Sequence, residues 1–202
     1  MQIQSTRAEV NRMKGWQLVM TVTIAIGVAV VAILSSMGLT ETSTLILVRL
    51  TARSSCLLFL LAFIAAPLRR LWQSPLSLWL VQNRRFLGLS MAVSHTYHAI
   101  AFSTLQIVIR QQAFTANPLA ILGYAFLLAM TITSFSTPAK AIGRRAWRVL
   151  HTAGMYYFWL IFAVEFGRRA QLEWGYLFLT LLVAIAMLVR IFGTRRTQVQ
   201  AV

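Results

Sequence analysis

Residues 16–37 read WQLVMTVTIAIGVAVVAILSSM, without a single charged side chain. A membrane-spanning helix needs about 20 mostly apolar residues, and this run reaches that length alone. Arg7, Arg12 and Lys14 precede it, as basic residues precede the apolar region of a signal peptide. The run is longer than a usual signal h-region, so it is expected to persist as a retained span. Further apolar runs, broken by charge or proline, fall at 47–66, 86–109, 119–137, 147–167 and 174–193. Pro67, Pro75, Pro118 and Pro138 all lie at run ends, where a missing amide costs least. The predicted fold is an all-α, integral membrane six-helix bundle. A basic segment 1–15 leads into a six-span domain 16–193 and a basic tail 194–202.

Composition agrees. Of 202 residues 58% are apolar and 11% charged, which leaves too few solvated side chains to cover a water-soluble globule. Six spans use roughly 120 residues, so no second folded domain fits beside them. The net charge of +15, from 19 basic and four acidic residues with no Asp, would suit nucleic acid or an anionic surface. Its placement points to a membrane, and no nucleic-acid partner is expected. Fourteen basic residues lie in the N-terminal flank, the 67–86 and 138–148 connections and the tail, where Arg190 is counted with Arg195 and Arg196. The other side holds Arg49, Arg53, Arg110, Arg168 and Arg169. The positive-inside bias then places both termini in the cytoplasm, as an even number of spans requires. Trp16, Trp147 and Trp174 stand at span starts as interfacial anchors. Leu68 to Gln82 interleaves Leu71, Trp72, Leu76, Leu78, Trp79 and Leu80 with polar residues and is expected to lie flat on the headgroups. No internal repeat supports an inverted-repeat transporter.

Cys56 is the sole cysteine, which excludes an intrachain disulfide, a Cys-rich zinc site and a cysteine-ligated iron–sulfur cluster. There is no glycine-rich phosphate loop or dinucleotide fingerprint, and without Asp no Asp-based triad or Walker-B site. No substrate-converting site of the chain's own is expected. The chemistry falls to His95, His98 and His151, all inside predicted spans, where ionisable side chains are costly and usually functional. Histidine is the usual axial ligand of non-covalent haem, and a helical bundle can clamp a porphyrin between imidazoles. Lacking Cys-x-x-Cys-His, the chain would take haem b. As packing groups, these histidines would each contribute only about 0.6 to 2 kcal/mol by bonding across helices. Three of them, two at i and i+3 on one helix face, favour a ligand set. A proton relay is disfavoured, because the spans offer one carboxylate, Glu165, at ion-pair spacing from Arg168 and Arg169.

At ~1.5 Å per residue, His151 lies roughly 5 to 9 Å inside its span, His95 roughly 15 Å and His98 roughly 20 Å inside theirs. Height therefore pairs His95 with His151, with His98 as the rival, around one haem iron. Arg84, Arg85 and Arg148 lie near the cytoplasmic ends of the ligand-bearing spans, as propionate partners or as plain positive-inside anchors. Arg53 lies inside the second span and needs a partner, a propionate or Glu41. Thr131, Thr133, Ser134, Ser136 and Thr137 offer hydroxyls that often satisfy their own helix instead. Tyr97, Phe102, Tyr156, Tyr157 and Trp159 would line a porphyrin or simply pack.

Several strings resemble a known family. Arg84-Arg85-Phe86-Leu87-Gly88-Leu89, followed by His98, resembles the entry to the third span of the ferric reductase-like transmembrane family. Thr133-Ser134, Gly143-Arg144-Arg145, Trp147, Leu150-His151 and Tyr156 resemble the entry to the fifth span in its bacterial branch, the haem-binding MsrQ (YedZ) subunits. Thr51-Ala52-Arg53-Ser54, through Leu60-Leu61 to Pro67-Leu68-Arg69, is similar to that branch's second span. The resemblance covers about residues 50–160. It implies a six-helix haem b protein of a bacterial inner or intracytoplasmic membrane. Such a protein passes electrons from a cytoplasmic flavin reductase or flavoprotein, with a transient flavin, to an acceptor across the bilayer. In MsrQ subunits that acceptor is a periplasmic molybdopterin methionine sulfoxide reductase. Larger relatives fuse an FAD and NAD(P)H domain to the spans, so here the donor is expected on another polypeptide. The family places a second histidine thirteen residues beyond the one matching His151, and Val164 stands there instead. A structural or assembly subunit that keeps the bundle with one haem or none is therefore the alternative.

Overall fold

Hydrocarbon offers the backbone no water, so a chain this apolar must satisfy its amides and carbonyls within helices. A computed structural model describes the backbone of residues 2–113 and 117–199 and the side chains of 15–113 and 117–194. The basic side chains of Arg7, Arg12, Lys14, Arg195 and Arg196 lie outside the described residues. Among the described residues there is no strand, and the order is α1 (Gln2–Met37), α2 (Glu41–Leu71), α3 (Pro75–Ser103), α4 (Pro118–Ile132), α5 (Ser136–Ala170) and α6 (Leu177–Val199). A π-helical turn, Thr104–Ile109, prolongs α3, and a 3-10 turn, Trp174–Tyr176, opens α6.

Each predicted run is helical, with three differences from expectation. Pro67 does not end its run: α2 passes through it to Leu71. The 68–82 segment is the end of α2 and the start of α3, joined at residues 72–74, where Ser77 Oγ donates to the Trp72 carbonyl and Arg69 to that of Ser74. The fourth run stops early, at Ile132, where the Thr133 and Ser134 hydroxyls bond back to the carbonyls of Ala129 and Met130. α4 is then 15 residues long, about 22 Å, against a hydrocarbon core of about 30 Å. Among the described residues four helices are long and apolar enough to cross a membrane: Gly15–Met37, Glu41–Leu71, Ser136–Ala170 and Trp174–Thr194. α3 is diluted by its histidines and serines.

The chain forms two compact units, residues 1–58 with 85–115, and residues 59–84 with 116–202. In the first, Trp16 meets Phe86 edge-on with ring centres 5.7 Å apart. Only a glycine fits beside that ring, because a Cβ on Gly15 would lie 2.1 Å from it. Val19 and Leu89 complete the cluster. Met20, Ile24, Val28 and Val31 recur at helical spacing on α1, and each is at least 60% exposed. That uncharged stripe is what a lipid-facing surface requires.

In the second unit Phe59 stacks toward Phe158 and Phe162, and Trp159 Nε1 donates to the Val183 carbonyl, tying α5 to α6. Gly143, at φ +78°, takes a conformation that side chains resist and turns residues 136–142 into the main length of α5. The crossing of α2 and α6 follows from Pro67. Proline has no amide to give the carbonyl four residues back, and that carbonyl, on Phe63, accepts instead from Arg190 at 3.1 Å. One turn further along α6, Gly193 lets the helices touch: an added Cβ would lie 2.6 Å from Pro67 Cβ and 2.7 Å from its carbonyl oxygen.

Substituting Gly193→Val is expected to cost about 1–3 kcal/mol through overpacking, read as a lower unfolding midpoint in detergent. Gly88→Ala, whose new Cβ meets nothing within 4 Å, should be neutral or stabilising by up to about 1 kcal/mol. Equal losses from both would refute the close crossing.

Candidate functional site

The two units hold different histidines. In the first, α2 and α3 are joined by hydroxyls. Ser94 Oγ lies 2.8 Å from Ser54 Oγ and 3.1 Å from Ser55 Oγ, and donates to the Thr51 carbonyl at 3.1 Å. One turn beyond Ser94, the same register brings His98 Nδ1 to 3.1 Å from the Val48 carbonyl and 3.3 Å from Thr51 Oγ1. A carbonyl only accepts, and the Thr51 proton goes to the Leu47 carbonyl at 2.7 Å. Nδ1 of His98 therefore carries a proton, and in a neutral ring the lone pair would be on Nε2. That is the tautomer in which a histidine, oriented by a backbone carbonyl, coordinates a metal. The donor set thus fits an axial ligand.

His95 stacks on His98 with centroids 5.2 Å apart and an interplanar angle of 28°, and Phe102 stacks on His98 at 6.4 Å. Were a haem bound, this stacked pair on one helix would offer it an imidazole from one side only. Among the described residues no three His, Cys, Asp or Glu side chains gather around a point, so these histidines do not make a free-standing metal-ion site. Arg53 is half-buried on α2, and the Arg85 guanidinium lies 5.5 Å from the Phe86 ring centre. Glu41, expected as a partner for Arg53, instead forms an ion pair with Arg110 at 2.7 Å.

In the second unit, His151 Nε2 lies 3.0 Å from Thr133 Oγ1. That hydroxyl already donates to the Ala129 carbonyl at 2.6 Å, so it accepts from the imidazole, and Nε2 of His151 is the protonated nitrogen. Trp147 stacks on the ring at 4.3 Å and donates from Nε1 to the Thr133 carbonyl at 2.9 Å. His151 is thus held in the tautomer opposite to that of His98. Coordination through its Nε2 requires the bond to Thr133 to be given up. Arg84 is half-buried and within electrostatic reach of His151, whereas Arg148 is exposed. Tyr156 packs on the Arg190 guanidinium, and Tyr157 donates to the Leu119 carbonyl. Glu165 lies 3.9 Å from Arg168, an ordinary exposed helical pair.

Known proteins share part of this chain. It is similar to haem-binding MsrQ subunits. The protein-methionine-sulfoxide reductase heme-binding subunit MsrQ of Cronobacter sakazakii is 29% identical over 127 residues, 55% of this chain and 62% of the relative. Subunits of the same name from Salmonella paratyphi B and Salmonella newport are 28% identical over 127 residues, with the same shares. The match spans less than two thirds of those relatives. No protein-family model matches the chain, nor does any solved structure. The MsrQ resemblance is supported at this distance; the wider ferric reductase-like family is matched by no model.

Two features of the site do not stand out in the sequence. Nothing local marks the Ser94 hydroxyl junction, and Arg190 reads with the basic tail. Arg190 carries a usable signal all the same, an ionisable side chain inside the apolar run 174–193.

Thr133→Val leaves the His151 Nε2–H without its acceptor and is expected to cost about 1–3 kcal/mol. His151→Phe in the same background should recover part of that loss, a coupling of about 0.5–2 kcal/mol in a double-mutant cycle of detergent unfolding. Strict additivity would disprove the bond.

Proposed function

We propose that this chain is a multi-pass membrane subunit that binds haem b and relays electrons across the bilayer. In this reading the helices cross the membrane six times with both termini cytoplasmic. The observation that carries it is the His98 ring, anchored at Nδ1 by the Val48 carbonyl in the orientation in which an imidazole coordinates through Nε2. His95 and His151 are the further ligands proposed, and Arg53, Arg84, Arg85 and Arg148 the cations proposed for the propionates. When bound, haem b supplies a one-electron iron couple within the hydrocarbon layer. The protein's part is to orient the imidazoles, exclude water and balance the carboxylates. The likeness to MsrQ subunits supports a haem, and the uncharged exposed stripe on α1 supports lipid contact. A cytoplasmic flavin reductase or flavoprotein is the proposed donor and a protein on the opposite side the proposed acceptor, in a bacterial inner or intracytoplasmic membrane.

One observation favours a second reading, a structural or assembly subunit. Val164, at the family's second fifth-span histidine position, is 47% exposed, and no ligand faces out from there. The purified chain decides between them. A pyridine haemochrome yielding at least one haem b per polypeptide, with a reversible reduced-minus-oxidised spectrum, supports electron transfer, whereas a colourless chain supports the scaffold. His98→Ala is expected to lose most of the Soret absorbance at unchanged expression, and a wild-type spectrum in that variant rejects the assignment.

A further inference from the structure

A cavity of about 100 Å³ lies wholly within the first unit, between α1, α2 and α3. Val30 and Leu34 of α1, Leu47 of α2 and Ile100 of α3 form its walls, and Leu39, in the turn between α1 and α2, stands at one end. Ile100 is 60% exposed and Val31, next to Val30, 67%, so the cavity opens sideways at the surface that carries the uncharged stripe of α1. Thr44 and Thr51 on α2, and Tyr97 and Thr104 at the end of α3, line it at positions seven residues apart. The walls therefore run about 10 Å along the helices.

Shape and polarity limit the occupant. The Thr44 and Thr51 hydroxyls are spent on their own helix, at the Thr40 and Leu47 carbonyls. An apolar cavity of ~150 Å³ stays dry and takes a small hydrocarbon, so water does not suit this smaller one. A second helix, about 10–12 Å across, is too wide for it. A single hydrocarbon chain, lying along the helices as lipid chains lie in a bilayer, is what such a slot admits. One polar group remains at the end nearest the turn: Thr104, whose hydroxyl makes no hydrogen bond among the described residues. Thr104 comes six residues before Arg110, whose ion pair with the exposed Glu41 marks the polar surface, so it lies about 9 Å below that pair. The headgroup layer is about 5–8 Å deep on each side of a bilayer, and lipid ester carbonyls lie at its inner edge.

We propose that this cavity seats one acyl chain of a membrane glycerophospholipid, whose ester carbonyl accepts a hydrogen bond from Thr104. The site rests on the lipid contact of α1 described above and is independent of haem.

The test uses the full chain in detergent, as wild type, Ala101→Phe, Thr104→Val and Val31→Phe. Ala101 lines the cavity, so a phenylalanine there fills it, whereas Val31 lies on the exposed stripe outside it. Native mass spectrometry counts retained phosphatidylcholine, offered as the diester and as the diether, which lacks the carbonyls. The wild type is expected to retain one lipid per chain and to prefer the diester by about two- to tenfold. Thr104→Val should retain both lipids equally. Ala101→Phe should lose the lipid at an unchanged unfolding midpoint, and Val31→Phe should keep it. A wild type without retained lipid, or an Ala101→Phe variant that retains as much as the wild type, overturns the site. Equal retention of diester and diether by the wild type overturns the Thr104 bond. A dimer in the wild type that Ala101→Phe abolishes overturns the lipid and assigns the cavity to a second copy. If Ala101→Phe does not fold, Ala101→Leu provides the same comparison. A chain that stays dispersed without detergent refutes the membrane reading itself, a result distinct from a detergent-bound chain that holds no lipid.

Discussion

The interior of a bilayer gives a polar group no solvent to fall back on, and this constraint orders the structure. Hydroxyls turn back on their own helices: Thr23 to the Val19 carbonyl, Thr96 to Ala92, Thr180 to Tyr176. Where a helix cannot serve itself, a neighbour does. Pro67 leaves the Phe63 carbonyl without an amide, and Arg190 reaches from α6 to supply the donor. The same side chain then needs Phe63 and Tyr156 around it and Gly193 one turn on, so a single missing N–H specifies a helix crossing.

The histidines obey the same rule in two opposite ways. His98 gives its Nδ1 proton to a main-chain carbonyl on α2. His151 gives its Nε2 proton to Thr133, a threonine at the end of α4, and lies flat against Trp147. The first arrangement is the one that a metal-ligating histidine needs. The second is the cross-helix bond of a packing histidine, and this chain holds both.

Apolar length is a local property, so the helices themselves were legible from the runs, and Pro75 and Pro118 start α3 and α4 as their missing amides allow. Pro67 misled because the carbonyl it orphans is met here by Arg190, and no window around residue 67 contains that donor. The Ser54–Ser55–Ser94 junction was illegible for the same reason: each serine, read alone, is as well satisfied by its own backbone. His95, His98 and His151 were visible as residue types. Their tautomers were not, since these depend on a carbonyl at Val48 and a hydroxyl at Thr133 brought near by packing.

The π-helical turn after α3 winds in extra chain, with the Arg110 amide bonded to the Leu105 carbonyl five residues back. It comes after His95 and His98 in the chain and before the arginine that clasps Glu41. A codon gained or lost within that turn would therefore rotate only the residues on its C-terminal side. The imidazole-bearing turns would keep their azimuth, making this bulge the place where descendants of one ancestor can differ in length without disturbing the polar heart of the helix.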